Sequence, residues 1–218
     1  MKLLIATRSR HKLEEIREIL ADVPDLELLG LHQAGVEYDS AEEDLEPYDT
    51  FEENAISKAR YFFEKTGIPT ASDDSGLAVD ALSGAPGVRS KRFAPGDLDG
   101  LERDQANNRH LLASLEGVDD SERTARYVCV VAWVDGAGEP LTFRGEVEGR
   151  IGREPRGTGG FGYDPLFFVP ELGTTFASAP IAEKHARSHR GRAFRAFHDH
   201  LSGRAAPSSR AGSSGGRG

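Results

Sequence analysis

KLLIATRSRHKLEEIREIL, residues 2–20, is the stretch whose reading decides the fold. KLLIA at 2–6 is a short, unbroken apolar run of the kind a buried strand uses. From residue 10 to 22, Leu13, Ile16 and Leu20 fall on one face of a helix. The chain therefore opens as strand, tight polar turn, helix.

Working outward, residues 26–31 read as a second strand. Residues 37–53 hold nine acids and no base, which predicts a largely solvated loop. A helix starts after Thr50, whose spacing to Glu53 is that of a capping box. Phe51, Ala55, Ala59 and Phe62 form its apolar stripe, with Asn54 and Lys58 on another face. Two short strands are predicted at 68–71 and 77–82, and a rather polar helix at 97–115. Residues 124–134 are rich in β-formers on both alternating faces, as in a buried central strand. Residues 141–147 are its expected antiparallel neighbour, joined through Asp135-Gly136-Ala137-Gly138. Residues 180–201 read as basic and helical. Helices and strands alternate early and strands pair later, which predicts an α/β fold with a mixed, twisted central sheet flanked by helices.

The composition sets limits. Hydrophobic residues at 38% and a formal charge of −9 describe a folded, acidic chain, so a nonspecific nucleic-acid binder is disfavoured. Apolar runs fall short of a membrane helix, the first residues do not form a signal peptide, and Cys129 is the single cysteine, so a cytoplasmic protein without membrane contact is expected. GRAAPSSRAGSSGGRG, residues 203–218, reads as a disordered Gly/Ser/Arg-rich tail after one domain over 1–202.

Four segments carry chemistry. Thr7-Arg8-Ser9-Arg10-His11-Lys12 sits where a strand hands over to a helix, and its hydroxyls, cations and backbone N–H groups suit an anion. Alone, it reads more readily as a polar turn with a Ser N-cap than as a phosphate cradle. Ser72-Asp73-Asp74-Ser75-Gly76 places two carboxylates after a short strand, as Mg²⁺ and water activation require, or as an ordinary turn does. Gly157-Thr158-Gly159-Gly160-Phe161-Gly162-Tyr163-Asp164-Pro165 permits close backbone approach to a ligand, with Phe161 to stack on a base and Asp164 to bond its edge. Lys184 is a candidate phosphate partner, and in Ser188-His189-Arg190-Gly191 the His and Arg are candidate ligand donors; an arginine, having only donors, favours a carbonyl over an amino group. Together they describe a site for a base, a polyphosphate and Mg²⁺.

TFEENAISKA (50–59), SDDSGLAVDALSGAPGVRSKRF (72–93), GTGGFGYDPLFF (157–168) and EKHARSHRG (183–191) resemble, in order and spacing, the inosine triphosphate pyrophosphatase family. The resemblance implies two lobes around a substrate cleft, a Mg²⁺ cofactor, a purine nucleoside triphosphate substrate (ITP, dITP or XTP) cut to monophosphate and pyrophosphate, and a homodimer. It implies that residues 7–12 and Lys58 hold phosphates, that Glu46 and Asp74 bind the metal, and that Asp74 is the general base with Asp73 beside it. It implies further that Ser75 touches substrate, that Phe161, Gly162, Tyr163 and Asp164 cradle the base, and that Lys184, His189 and Arg190 complete the pocket. Ser9 stands where the family has Asn in T-x-N-x-x-K. Two rival readings are a Maf-like nucleotide pyrophosphatase, which the SHRG and GGFGYDP segments disfavour, and a non-catalytic nucleotide-binding module, which the paired aspartates disfavour.

Overall fold

The computed structural model describes residues 1–203, 209 and 210. Strands β1 (Lys2–Ile5), β2 (Glu27–Gly30), β3 (Thr70–Val79), β4 (Thr124–Val134), β5 (Leu141–Ile151), β6 (Phe167–Val169) and β7 (Thr174–Thr175) lie in the order β2-β1-β3-β4-β5-β6-β7. β1 runs parallel to β2 and β3, whereas β6 is antiparallel to β5 and β7, so the sheet is mixed. The helices are α1 (Arg10–Ile19), α2 (Phe51–Thr66), α3 (Gly100–Ser114), α4 (Ile181–Arg187) and α5 (His189–Leu201). No helix among the described residues is long and apolar enough to cross a membrane. Of the stretch read as a tail, Ser209–Arg210 form a short strand, β8, antiparallel to β5. Residues 204–208 and 211–218 lie outside the described residues.

The chain forms two compact units, and the boundary passes through β3, β4 and β5. The first unit holds Met1–Asp74, Val130–Gly145 and the chain from Arg192 onward. Its core includes Leu4, Ala6, Leu31, Val36 and Phe62. Ser9 caps α1 by accepting from Lys12 N. Gly30 lets α1 approach β2, since a Cβ there would lie 2.6 Å from Leu13 Cδ2. Thr50 caps α2 by accepting from Glu53 N at 3.2 Å, and its hydroxyl donates to the Glu53 carboxylate. The predicted stripe of α2 is buried, and Asn54, expected on another face, is buried with it. Within the acidic run, residues Ser40–Asp44 are a 3-10 turn rather than open loop, because Asp39 caps it and Glu42 bonds back to the Asp39 N–H.

The second unit holds Ser75–Cys129 and Glu146–Gly191. Leu77, Leu111, Tyr127, Val147, Phe167 and Phe176 are among its core side chains. Arg123 is buried there because its guanidinium donates to the carbonyls of Ile151, Leu115 and Gly152 at 2.9–3.0 Å.

Two expectations change in physically readable ways. The predicted strands at 68–71 and 77–82 are one continuous β3 that contains the SDDSG run. Polar residues stay extended there because side chains serve them: Ser72 Oγ donates to Ala55 O at 2.6 Å, and Leu77 N donates to Ser90 Oγ at 2.8 Å. The basic helix of 180–201 is two helices, broken at Ser188, which is extended (ψ 149°) and accepts from Gly191 N to restart the next helix.

Candidate active site

In the first unit, α1, α2 and β3 bring acids and lysines together. Lys12 Nζ donates to Asp73 Oδ2 at 2.9 Å, and that carboxylate is nearly fully buried. Lys58 Nζ donates to Asp73 O at 2.8 Å and to the Glu46 carboxylate. Burial alone would pull the Lys58 pKa down; the charges of Glu46, Asp73 and Asp74 outweigh it and hold the pKa above 10.5. Consecutive strand residues point to opposite faces, so the two aspartates have different partners. Asp74, 8% exposed, accepts from Asn54 Nδ2 at 3.2 Å. Asn54 also clamps the segment before its helix, with Oδ1 accepting from Tyr48 N and Nδ2 donating to Tyr48 O.

The turn at residues 7–12 divides its side chains. Thr7 Oγ1 accepts from Ser9 N at 3.2 Å. Arg8 turns to the acidic segment: it donates twice to Glu42 and once each, at 3.0 Å, to the carbonyls of Val36 and Glu37. Arg10 pairs with Glu14 on the exposed face of α1, and His11 is exposed. Glu43, by contrast with Glu46, accepts from Tyr38 OH at 2.7 Å.

In the second unit, the glycine-rich loop folds around a buried carboxylate. Asp164 Oδ2 accepts from Phe161 N at 2.9 Å and from Lys184 Nζ, and its Oδ1 receives Tyr127 OH at 3.4 Å. Gly160, at φ +74°, is required here: a Cβ would sit inside the Asp164 carboxylate and 2.9 Å from Lys184 Nζ. Phe161 is 65% exposed, with Lys184 Nζ 5.0 Å from its ring centroid. His189 lies parallel to Tyr127 at 4.8 Å, and Arg190 is buried. Burial, and then the charge of Asp164, push the Tyr127 phenol well above its ordinary range. Tyr163 is buried in the core, donating to Ser90 O at 2.8 Å, with its pKa raised by burial. Ser75 is half-buried, one residue beyond Asp74 on β3.

The Ham1 family model matches residues 3–200. The chain belongs to the Ham1 family. A protein of Geobacter sulfurreducens named dITP/XTP pyrophosphatase is 48% identical over 200 residues, covering 92% of this chain and 96% of the relative. One of the same name from Yersinia pseudotuberculosis is 45% identical over 92% of this chain and 98% of its own. Among solved structures, the HAM1 protein of Coxiella burnetii has a TM-score of 0.83 at 38% identity, covering 93% of this chain and 99% of its own. A Mycobacterium abscessus structure titled nucleoside-triphosphatase / dITP/XTP pyrophosphatase has a TM-score of 0.73 at 41% identity, covering 90% and 98%.

On this Ham1 chain, Glu46, Lys12, Lys58, Asp73 and Asp74 gather in one unit, and Phe161, Gly162, Asp164, Lys184, His189 and Arg190 lie in the other. Arg8 and Tyr163 are committed elsewhere, to Glu42 and to the core. Asn54 is the partner that sequence reasoning passed over; an amide inside a helix that prefers other residues is the one local signal for it. Among the described residues, no three His, Cys, Asp or Glu side chains gather as a metal-ligand group. The donors at the corner are carboxylate oxygens. That fits magnesium, which takes one or two carboxylates and completes its shell with phosphate oxygens and water.

Proposed function

We propose that this protein hydrolyses non-canonical purine nucleoside triphosphates, ITP, dITP and XTP, to the monophosphate and pyrophosphate. The observation that carries the reading is the gathering of Lys12, Lys58, Glu46, Asp73 and Asp74 on a chain 45–48% identical to proteins named dITP/XTP pyrophosphatase. Lys12 and Lys58 are held in place by acids before any polyanion arrives, so their charge is preorganised for a triphosphate. Asp73 serves Lys12. Asp74, which accepts from the Asn54 amide, is the group assigned to take the proton from the attacking water. Glu46 and Asp74 would hold Mg²⁺, which supplies charge neutralisation at the phosphates and a more acidic water.

Phe161 is assigned to the purine face, and Lys184, bound to Asp164 beside that ring, to the purine side rather than the phosphates. His189 and Arg190 are assigned to the 6-oxo edge, where donors match a carbonyl and mismatch the adenine amino group. The test incubates the protein with ITP, ATP, GTP or dTTP and Mg²⁺ and measures pyrophosphate and orthophosphate separately. Pyrophosphate released from ITP far faster than from ATP is expected, with loss of activity in EDTA. Orthophosphate as the product, or dTTP as the better substrate, overturns the assignment.

A further inference from the structure

The exposed ring of Phe161 has little packing to orient it, so its position is inherited from its backbone. That backbone is held from α3. Gly162 N donates to Asp104 Oδ2 at 2.8 Å, and Gly162 O accepts from Asn108 Nδ2 at 2.8 Å. Both polar groups of one residue are thus claimed by two side chains four apart on one helix face. The Asn108 amide is itself aimed by its own helix, since Nδ2 also donates to Asp104 O at 2.9 Å. Its Oδ1 is buried with no hydrogen-bond partner among the described residues. A buried acceptor left unserved is costly, so it is the NH2 group of Asn108 that the fold uses. Gly162 takes φ +60° with open space where a Cβ would stand, so at that residue these two bonds, and not side-chain packing, hold the backbone.

We propose that Asp104 and Asn108 are positioning residues that set purine selectivity, by fixing the Phe161–Gly162 peptide and so the ring that would hold the base against His189 and Arg190. The proposal rests on the pyrophosphatase reading above. Its chemistry is distinct from that of the carboxylates and lysines: these two residues touch neither phosphate nor metal in the scheme, and act only through the loop.

The test compares the parent with Asn108→Asp, Asp104→Ala and Asp104→Asn. Asn108→Asp keeps size but sets an acceptor against the Gly162 carbonyl. Asp104→Ala removes the acceptor of Gly162 N–H, whereas Asp104→Asn retains one. Three quantities are measured: kcat/KM for ITP and for ATP, kcat with saturating ITP, and amide hydrogen exchange over residues 159–163. For Asn108→Asp and Asp104→Ala, the ITP-to-ATP ratio of kcat/KM should fall about tenfold, kcat with ITP should stay within a few-fold, and the loop should exchange faster. Asp104→Asn should keep the parent ratio. Asn108→Asp and Asp104→Ala variants that keep the parent ratio, or that lose ITP and ATP turnover equally, overturn the role of α3. A parent without preference for ITP sinks the functional reading first, and that control is read before any variant.

Discussion

The two site regions are built from opposite materials. In the first unit, charge holds charge: Lys12 lies on Asp73, and Lys58 lies between Glu46 and the Asp73 backbone. In the second, a neutral backbone is caught by side chains: Phe161 N on Asp164, and Gly162 on Asp104 and Asn108. A region of the first kind fails when a charge is removed, and the failure appears in turnover. A region of the second kind fails when shape is altered, and the failure appears in binding and selectivity.

The largest effect expected is at Asp74. Asp74→Asn should lower kcat by about 10³-fold or more while the thermal midpoint stays near that of the parent; near-normal pyrophosphate release would remove it as the base. Next is Lys58→Met, for which a kcat loss of about 10²-fold is expected. A variant that changed only KM for ITP would move Lys58 from the reacting phosphates to simple binding.

The positions of these residues are unevenly legible in the sequence. β1, β4 and the capped start of α2 were readable because their signals are local: an apolar run, alternating β-formers, a Thr three residues before a Glu. β3 was not, since a run such as SDDSG has no strand preference of its own and its partners include Lys12 and Ala55, far away in sequence. The burial of Asn54 was not legible because a helical stripe counts apolar residues, and a buried amide bound to Asp74 escapes the count. Asp104 and Asn108 looked like solvated helix; their partner Gly162 is more than fifty residues away. Arg8 was read as a phosphate cation from its neighbours in sequence, but its fork matches the carboxylate of Glu42.

Two smaller predictions probe the second region. Gly160→Ala and Gly162→Ala both force a positive φ on a side chain, at about 1 kcal/mol each. Gly160→Ala also collides with Asp164 and Lys184, whereas Gly162→Ala meets open space. KM for ITP should therefore rise about tenfold or more for the first and only a few-fold for the second. Equal effects would show that φ alone matters and that the Asp164 packing is incidental.

The smallest effect is at Tyr127. Its folded pKa is raised above 10.0 by burial and by Asp164, so folding favours the neutral phenol. That stability is fully present below pH 10.0 and is lost as pH rises further, because the unfolded phenol ionises first. Tyr127→Phe should change neutral-pH stability little and should flatten the alkaline decline in the urea midpoint. A decline identical to that of the parent would place the sensitive group elsewhere.

The polar run inside β3 also bears on the chain before it folds. Short segments of high β-propensity without charge pair wrongly with other chains, and ionised residues within them act as gatekeepers. β4 carries YVCVVAWV over residues 127–134 with no charge at all. β3, its neighbour in the sheet, carries two adjacent aspartates at its middle. The nascent polypeptide thus presents one sticky central strand instead of two, and the acids assigned to hydrolysis double as a safeguard against aggregation.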